Sequence, residues 1–347
     1  MPDVLTLAPV VPGTTRVASL VGLPAVLAQR GVALAPLLRA VGLPADLFEH
    51  PERPLPLATA MRLLDCAAAR AECPHLGLLC GQRLGPQGLG LAGQLALNAS
   101  DVGSGLRGLG LNLHLNGHAF MLTLTRDGDS AEFGVRPLGL PGDATVGIDL
   151  GVAAAFTVLR LLAGPGWQPQ GVVLARRPPA GRAAYARFFG VPVSFDGDRN
   201  GIVFDASWLA RPVHGASAAR RERLERALTA HLQRHPLPPV EATRRALIVC
   251  LSRGRVSVAA VAATLGLHPR TLNRQLQREG TSVAALLKEV RLRIARDLLA
   301  GTALPVTDVA ATLLYANLGA FTRAFRQWTG ESPRTWRGRN STIVARP

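Results

Sequence analysis

One short pattern occurs twice near the C-terminal end of the chain, about 48 residues apart. The first copy sets Val258, Val261, Ala262, Leu265 and Leu267 ahead of Leu272 and Leu276. The second sets Val306, Val309, Ala310, Leu313 and Tyr315 ahead of Phe321 and Phe325. In each, apolar residues return at i, i+3, i+4 and i+7, the spacing of one helical face, and an i, i+4 apolar pair follows after a break. The spacing predicts a helix, a tight turn and a second helix, built twice. Small Ala262 and Ala310 fall where the paired helices must approach closely. Gly266 falls in the first turn, where a residue without Cβ takes φ > 0 at little cost.

Charge is concentrated on the same region. The chain carries 39 Lys+Arg against 23 Asp+Glu, a net charge of +16. Residues 241–347 hold 17 basic and 6 acidic residues, so +11 of that total sits in them, as expected of a phosphate-binding surface. Only Lys288 is lysine. With abundant Ala, Gly and Pro, the preference for arginine looks like genomic composition and carries little functional weight.

In a helix-turn-helix the second helix enters the major groove and its solvent face meets base edges. With Leu272 and Leu276 inward, the outward candidates of the first unit are Arg270, Thr271, Asn273, Arg274 and Gln277. With Phe321, Phe325 and Ala324 inward, those of the second are Asn317, Gly319, Ala320, Thr322, Arg323 and Arg326. Arginine suits guanine O6/N7, and Asn or Gln suits adenine N6/N7. Between the copies, Thr281-Ser282 can cap a helix, and Val283 to Leu299 runs without Gly or Pro. Such a rod is roughly 25 Å long, and with the bodies of the two units added it would set the second helices about one DNA turn, ~34 Å, apart on one face.

The remaining chain reads differently. The first ~16 residues, punctuated by Pro and Gly, are expected to be disordered. Residues 17–110 read as short helices broken by Gly and Pro. At 111–136 the period changes to two: Phe120, Leu122 and Leu124 alternate with Met121, Thr123 and Thr125, Asp127-Gly128 turns, and Glu132 to Val135 returns. A helix is expected at about 144–163, a strand at Val172 to Ala175, a helix at about 180–189, and strands at Val191 to Phe195 and Gly201 to Phe204. This is an α+β domain and not a repeated βαβ series. A charged helix, Ser217 to His235, has Leu224, Leu228 and Leu232 on one edge, for packing on its own domain or for dimerisation. His235 to Pro239 reads as a stiff linker. The expected organisation is therefore a disordered 1–16, an α+β domain at 17–234, a linker at 235–239, an all-α tandem helix-turn-helix domain at 240–338 and a disordered tail at 339–347.

At this point the residues match a family. Residues 257–337 resemble the DNA-binding domain of AraC/XylS-type transcription regulators: Ser257-Val258-Ala259-Ala260-Val261-Ala262, Arg291 with Ala295 and Leu298-Leu299, Phe321-Thr322-Arg323-Ala324-Phe325, and the tail Thr329-Gly330-Glu331-Ser332-Pro333-Arg334-Thr335-Trp336-Arg337. The resemblance implies a tandem helix-turn-helix fold and promoter binding. The family usually places Gly before the aromatic residue of the second turn, and here Leu314 stands there, which leaves the geometry of that turn open. Residues ~20–210 are more weakly similar to the N-terminal domain of the branch that includes ornithine-utilisation regulators, through Pro178-Pro179, Tyr185 to Val193 and Asn200 to Phe204. That likeness implies an effector-sensing or dimerising role. The partners implied are double-stranded promoter DNA, a small-molecule effector, a second copy of the chain, and RNA polymerase if the protein activates. An effector-independent architectural DNA binder is the alternative, and an enzyme carrying a DNA-binding tail is a third.

Other chemistry finds little support. Gly88-x-Gly90-x-x-Gly93 and Gly103-x-Gly105-x-x-Gly108 match the dinucleotide fingerprint but follow no strand of a βαβ unit. Cys66, Cys73 and Cys80 lack the close pairing of zinc ligands and read as small buried thiols. His114 and His118 read as loop or strand residues, and Tyr185, Phe188 and Phe189 as core. No cofactor, metal or catalytic set is expected. Four cysteines, no secretory signal at Met1-Pro2-Asp3 and no apolar run longer than Leu150 to Leu159 fit a cytoplasmic protein without a membrane span.

Overall fold

The computed structural model describes residues 13–340, apart from 86, 87, 89, 114–116, 118, 138, 139, 141–143, 198, 235–237, 253 and 302–304. The chain divides into two compact units, Met1–Gln233 and Arg234–Pro347. In order, the first holds β1 (Thr14–Arg16), α1 (Leu23–Gln29), α2 (Leu34–Ala40), β2 (Pro54–Pro56), α3 (Leu57–Arg70), α4 (Leu76–Gln82), α5 (Gly90–Leu97) and α6 (Val102–Asn112). It continues with β3 (Phe120–Asp127), β4 (Ser130–Pro137), α7 (Thr145–Ala163), β5 (Gly171–Val173), α8 (Arg182–Phe189), β6 (Val193–Ser194), β7 (Gly201–Asp205) and α9 (Ala218–Arg234).

The start of the chain departs from expectation. Residues 14–16 form β1, antiparallel to β2 with Thr15 opposite Leu55. Thr15 and Arg16 are buried, and the Arg16 guanidinium donates to the Glu52 carboxylate at 2.8 Å and to its carbonyl at 2.9 Å. The partner strand lies far along the sequence, so local composition could not announce it. Residues 1–12 of the expected disordered segment lie outside the described residues.

The five-stranded sheet has the order β3-β4-β7-β5-β6. Its pairs are antiparallel except β5 with β6, which α8 joins as a single crossover. The hairpin turns at the Asp127-Gly128 signal: Asp127 faces Ser130, and Gly128 takes φ +55°. Ala131, Phe133 and Val135 alternate into the core, with Ile202 opposite Phe133.

Against that face lies α7. Its residues are buried nearly all round, the mark of a core helix. Thr145–Ala163 is long and apolar enough to cross a bilayer, but 72% of that stretch is buried inside the unit. On its other side α4 approaches backbone to backbone. A Cβ at Gly77 would lie 2.0 Å from the Val146 carbonyl oxygen, and one at Gly81 2.5 Å from that of Leu150. Only glycine lets the two helices meet this closely.

One charge is enclosed here. Asp149 on α7 accepts from the Tyr185 hydroxyl at 2.5 Å and pairs with Arg176. Burial pushes its carboxyl up to about 6, against the pull of Arg176 and Tyr185. Tyr185 and Phe189 are buried and Phe188 partly so in one core cluster, where Phe188 and Phe189 meet Phe156 and Tyr185 meets Phe195. Leu224 and Leu228 of α9 pack on Leu91 together with Leu95, so this leucine edge serves its own unit; the Leu232 side chain lies outside the described residues.

The glycine fingerprints fall at the start of α5 and within α6, with helices and not a strand ahead of them. Cys66 is exposed, while Cys73 and Cys80 are buried, and burial pushes the Cys80 thiol up to about 12. His114 and His118 lie outside the described residues.

The second unit is all helix among its described residues. It holds α10 (Pro239–Ser252), α11 (Val258–Thr264), α12 (Pro269–Arg278), α13 (Val283–Gly301), α14 (Val306–Thr312), α15 (Leu318–Thr329) and α16 (Pro333–Asn340). The expected tail is shorter than 339–347, because 339 and 340 finish α16; residues 341–347 lie outside the described residues. The Asn340 carboxamide donates to the Trp336 carbonyl at 2.8 Å, one turn back, and so extends that last turn.

Candidate nucleic-acid interface

The repeat in the sequence is a repeat in three dimensions. Val261, Ala262, Leu272 and Leu276 are buried between α11 and α12, and Val309, Ala310, Leu313, Phe321 and Phe325 between α14 and α15. Caps set where the helices begin. Ser257 Oγ accepts from the Ala260 amide at 3.0 Å, starting α11. His268 Nδ1 accepts from Arg270 at 3.3 Å, with Pro269 in the first turn of α12. Asn317 Oδ1 accepts from Ala320 at 2.8 Å, starting α15.

The two turns share one geometry in spite of different residues. Gly266 has φ +66° and Leu314 has φ +57°. In the first, Gly266 donates to the Ala263 carbonyl at 3.1 Å and Leu267 to Ala262 at 2.9 Å. In the second, Leu314 donates to Ala311 at 2.9 Å and Tyr315 to Ala310 at 3.0 Å. The turn left open by Leu314 therefore keeps its hydrogen bonds, with a branched residue in left-handed backbone at a cost of about 1–2 kcal/mol. Two neighbours brace it. The Arg291 guanidinium donates to the Leu314 carbonyl at 3.3 Å and stands 4.5 Å from the centre of the Tyr315 ring. Tyr315 in turn packs on Phe321 (5.5 Å between ring centres) and on Trp328 (6.3 Å).

The rod between the units is α13, 19 residues without a break and about 28 Å long at helical rise. Ser282 caps it, accepting from the Ala285 amide at 3.1 Å. A bridge from Arg244 on α10 to Glu289 on α13 (2.8 Å) ties the rod to the first unit at the surface, where such pairs contribute about 1 kcal/mol or less.

Of the eleven residues proposed from sequence, Arg270, Asn273, Arg274 and Gln277 are exposed on α12, and Thr271 is half-buried. On the second unit Asn317, Gly319, Arg323 and Arg326 are exposed, and Ala320 and Thr322 are half-buried. None of the eleven lies in the core. Asn317 has a prior duty, since its side-chain oxygen is committed to the cap and only its amide group remains to donate outward. Two further residues join the surface. Arg278 is exposed and continues Arg270 and Arg274 at steps of four, so three guanidinium groups line one edge of α12. Leu318 is 38% exposed in the first turn of α15, unusual for a large apolar side chain. The i, i+4 spacing could have identified Arg278; nothing in the local pattern singles out Leu318. Among the described residues, none of Arg270, Arg274, Arg278, Arg323 and Arg326 is engaged in an ion pair with a carboxylate. Such a surface carries charge and planar donors suited to phosphates and base edges.

Comparison with known proteins agrees with this geometry. The model of the arabinose-binding domain of AraC transcription regulators, N-terminal, matches residues 31–213, and that of a helix-turn-helix domain matches residues 261–339. The HTH-type transcriptional regulator VirS of Mycobacterium tuberculosis is 30% identical over 334 residues, covering 93% of this chain and 96% of its own. The ornithine utilization regulator of Pseudomonas aeruginosa is 28% identical over 312 residues, covering 89% of this chain and 92% of its own. Among solved structures, the transcriptional regulator CdpR from Pseudomonas aeruginosa is 24% identical, with 88% of this chain and 96% of that one covered and a TM-score of 0.44. These relatives and domains are those of regulators and not of enzymes. A domain match over more than half of the chain, a helix-turn-helix match over the repeat and a full-length regulator at 30% identity place the chain in the AraC family of DNA-binding transcription regulators.

Proposed function

We propose that the protein reads a specific promoter sequence with α12 and α15 in successive major grooves, and that its N-terminal unit controls this binding through a small-molecule effector in the cytoplasm. The observation that carries the DNA half is the division of each recognition helix. One face is buried in its own unit, the other offers unpaired arginines, and an unbroken helix joins the two. On α12, Arg270, Arg274, Asn273 and Gln277 supply base-edge donors and acceptors, while Arg278 at the helix end suits a phosphate. On α15, Arg323, Arg326 and Thr322 do the same, and Gly319 and Ala320 let the backbone approach closely. RNA polymerase is a further partner if the protein activates.

Affinity of the full-length protein for its own upstream region, against random duplex of equal length, tests the reading. A protected footprint spanning two turns of the helix is expected, with specific binding at least a thousandfold or so tighter. Equal affinities with a steep salt slope would instead mark a nonspecific, architectural binder.

A further inference from the structure

A cavity of ≈ 90 Å³ lies in the first unit between α7, α3 and the β3–β4 hairpin. It opens where the two apolar clusters of that unit meet. Leu150, Ala154 and Val158 of α7, Met61 of α3, and Phe120 and Leu122 of β3 form much of its wall. Among the described residues, no Asp, Glu, Lys, Arg or His lines it. Its side-chain hydroxyls belong to Thr15 and Ser19, and Thr15 Oγ1 donates to Ser19 Oγ at 3.0 Å. That bond occupies the threonine hydrogen and leaves the serine hydrogen free to donate to something else.

The wall is also adjustable. α7 has glycine at two neighbouring turns facing the cavity. A Cβ at Gly147 would lie 2.4 Å from Met61 Sδ, and one at Gly151 2.7 Å from Phe120 Cζ. Methionine and a phenyl ring therefore rest on bare helix backbone. Met61, unbranched and with three rotatable bonds, can re-pack around an occupant.

We infer that this cavity is the effector site, and that its occupant is a small uncharged molecule, hydrocarbon over most of its surface, with one neutral oxygen at the Thr15–Ser19 end. The inference rests on the effector control proposed above and names the chemistry of the effector. An apolar cavity stays dry when empty and takes up small apolar guests such as a single ring. A carboxylate, an ammonium or a zwitterion would lose its hydration here and find no countercharge among the described lining residues. A sugar would bury several hydroxyls against two. Small neutral alcohols, ketones and single-ring hydrocarbons match this polarity, and a single ring is near the upper limit of size.

The test uses the full-length protein, with thermal unfolding and affinity for its upstream DNA measured side by side. The probes are those neutral compounds, the carboxylates and amines of equal chain length, basic amino acids, and pentoses. Neutral compounds are expected to raise Tm by about 5–10 °C at a hundredfold excess over Kd and to change DNA affinity. Ala154→Leu, which fills the cavity, should abolish the shift. Ser19→Ala should weaken alcohols and ketones about two- to tenfold while sparing alkylbenzenes, the signature of one lost hydrogen bond. Should A154L fail to fold, S19A alone still decides the assignment of the polar end. A charged amino acid or a sugar that both stabilises the protein and changes DNA affinity would overturn the apolar occupant while effector control stands. A neutral compound that binds in the cavity without changing DNA affinity would overturn effector control while the occupant's chemistry stands. No shift with any neutral compound would overturn the site itself.

Discussion

The backbone at Leu314 stores strain that a pair of substitutions can measure. Its φ of +57° is one that L residues with a Cβ avoid, at about 1–2 kcal/mol. A direct comparison of wild type with L314G would mix relief of strain with loss of a half-buried side chain. Comparing L314G with L314A removes the second contribution, because both lack the side chain beyond Cβ. Alanine keeps the strain and glycine releases it, so L314G should be the more stable by about 1 kcal/mol. The first copy offers an internal control. Gly266 has φ +66°, and a Cβ placed there meets nothing within 4 Å, so G266A costs conformational strain without a clash. It should destabilise by about the same 1 kcal/mol. Calorimetry on the full chain, following the transition of the second unit, would read each difference as about 4 °C in Tm. If L314A and L314G unfold together while G266A is destabilised, Leu314 is not strained and the equivalence of the two turns is wrong.

Other predictions concern the arginines and the enclosed carboxyl. Arg274→Ala should cost about 1–3 kcal/mol at the cognate site and relax the preference for one base, read by anisotropy on single-substituted duplexes; uniform weakening across all duplexes would reassign Arg274 to phosphate. Arg278→Ala should weaken binding evenly and lower the salt slope by about 1, and an unchanged slope would remove it from the interface. Arg291→Ala takes away both the hydrogen bond to the Leu314 carbonyl and the cation over Tyr315, for a loss of about 1–2 kcal/mol in the second unit; denaturation that matches wild type would show the brace to be idle. The Asp149 carboxyl, raised to about 6, holds its proton more tightly when folded than unfolded. Its contribution is therefore present below about pH 4 and is lost as pH rises through about 6. Thermal unfolding of the first unit should show this decline in wild type but not in D149N, and parallel pH profiles would contradict the raised value.

How much was legible follows from how far each signal had to reach. The helix-turn-helix pairs are local objects: period, cap and turn residue all fall within about twenty positions, and α11 to α15 sit where Val258 to Phe325 put them. The hairpin was equally local, since Phe120 to Val135 alternates about an Asp-Gly turn. The sheet order was not, because β7 enters between β4 and β5 through pairings such as Phe133 with Ile202, far apart in sequence. The same reason explains the start of the chain, where Thr14–Arg16 looks irregular until β2 is beside it. The cavity was out of reach altogether. Its wall draws residues from α3, α6, α7 and the strands β1, β3 and β4, and none of those residues carries a chemical signature of its own. At the interface, the eleven proposed residues came from helical phase, which tells outside from inside. Phase cannot tell that Asn317 is already spent on a cap, nor that Leu318 remains uncovered.

The two copies show how one frame is kept by two different means. In the first, the turn residue is the one that local physics prefers, and aliphatic Leu272 and Leu276 complete the core. In the second, the turn residue is one that local physics resists, and the core is aromatic. Phe321 packs at a tilt on Phe325 at 5.7 Å, and Phe325 meets Trp336 of α16 edge-on at 6.1 Å. Aromatic pairs of this kind contribute about 0.5–1.5 kcal/mol each beyond the area they bury, the same order as the cost of the left-handed leucine. The second turn is thus held from outside, by rings and by Arg291, whereas the first is held by its own glycine. Anchored through α13 and α16, α15 takes its direction from the rod and the C-terminal helix together, and so its placement is set by tertiary packing as much as by the turn itself.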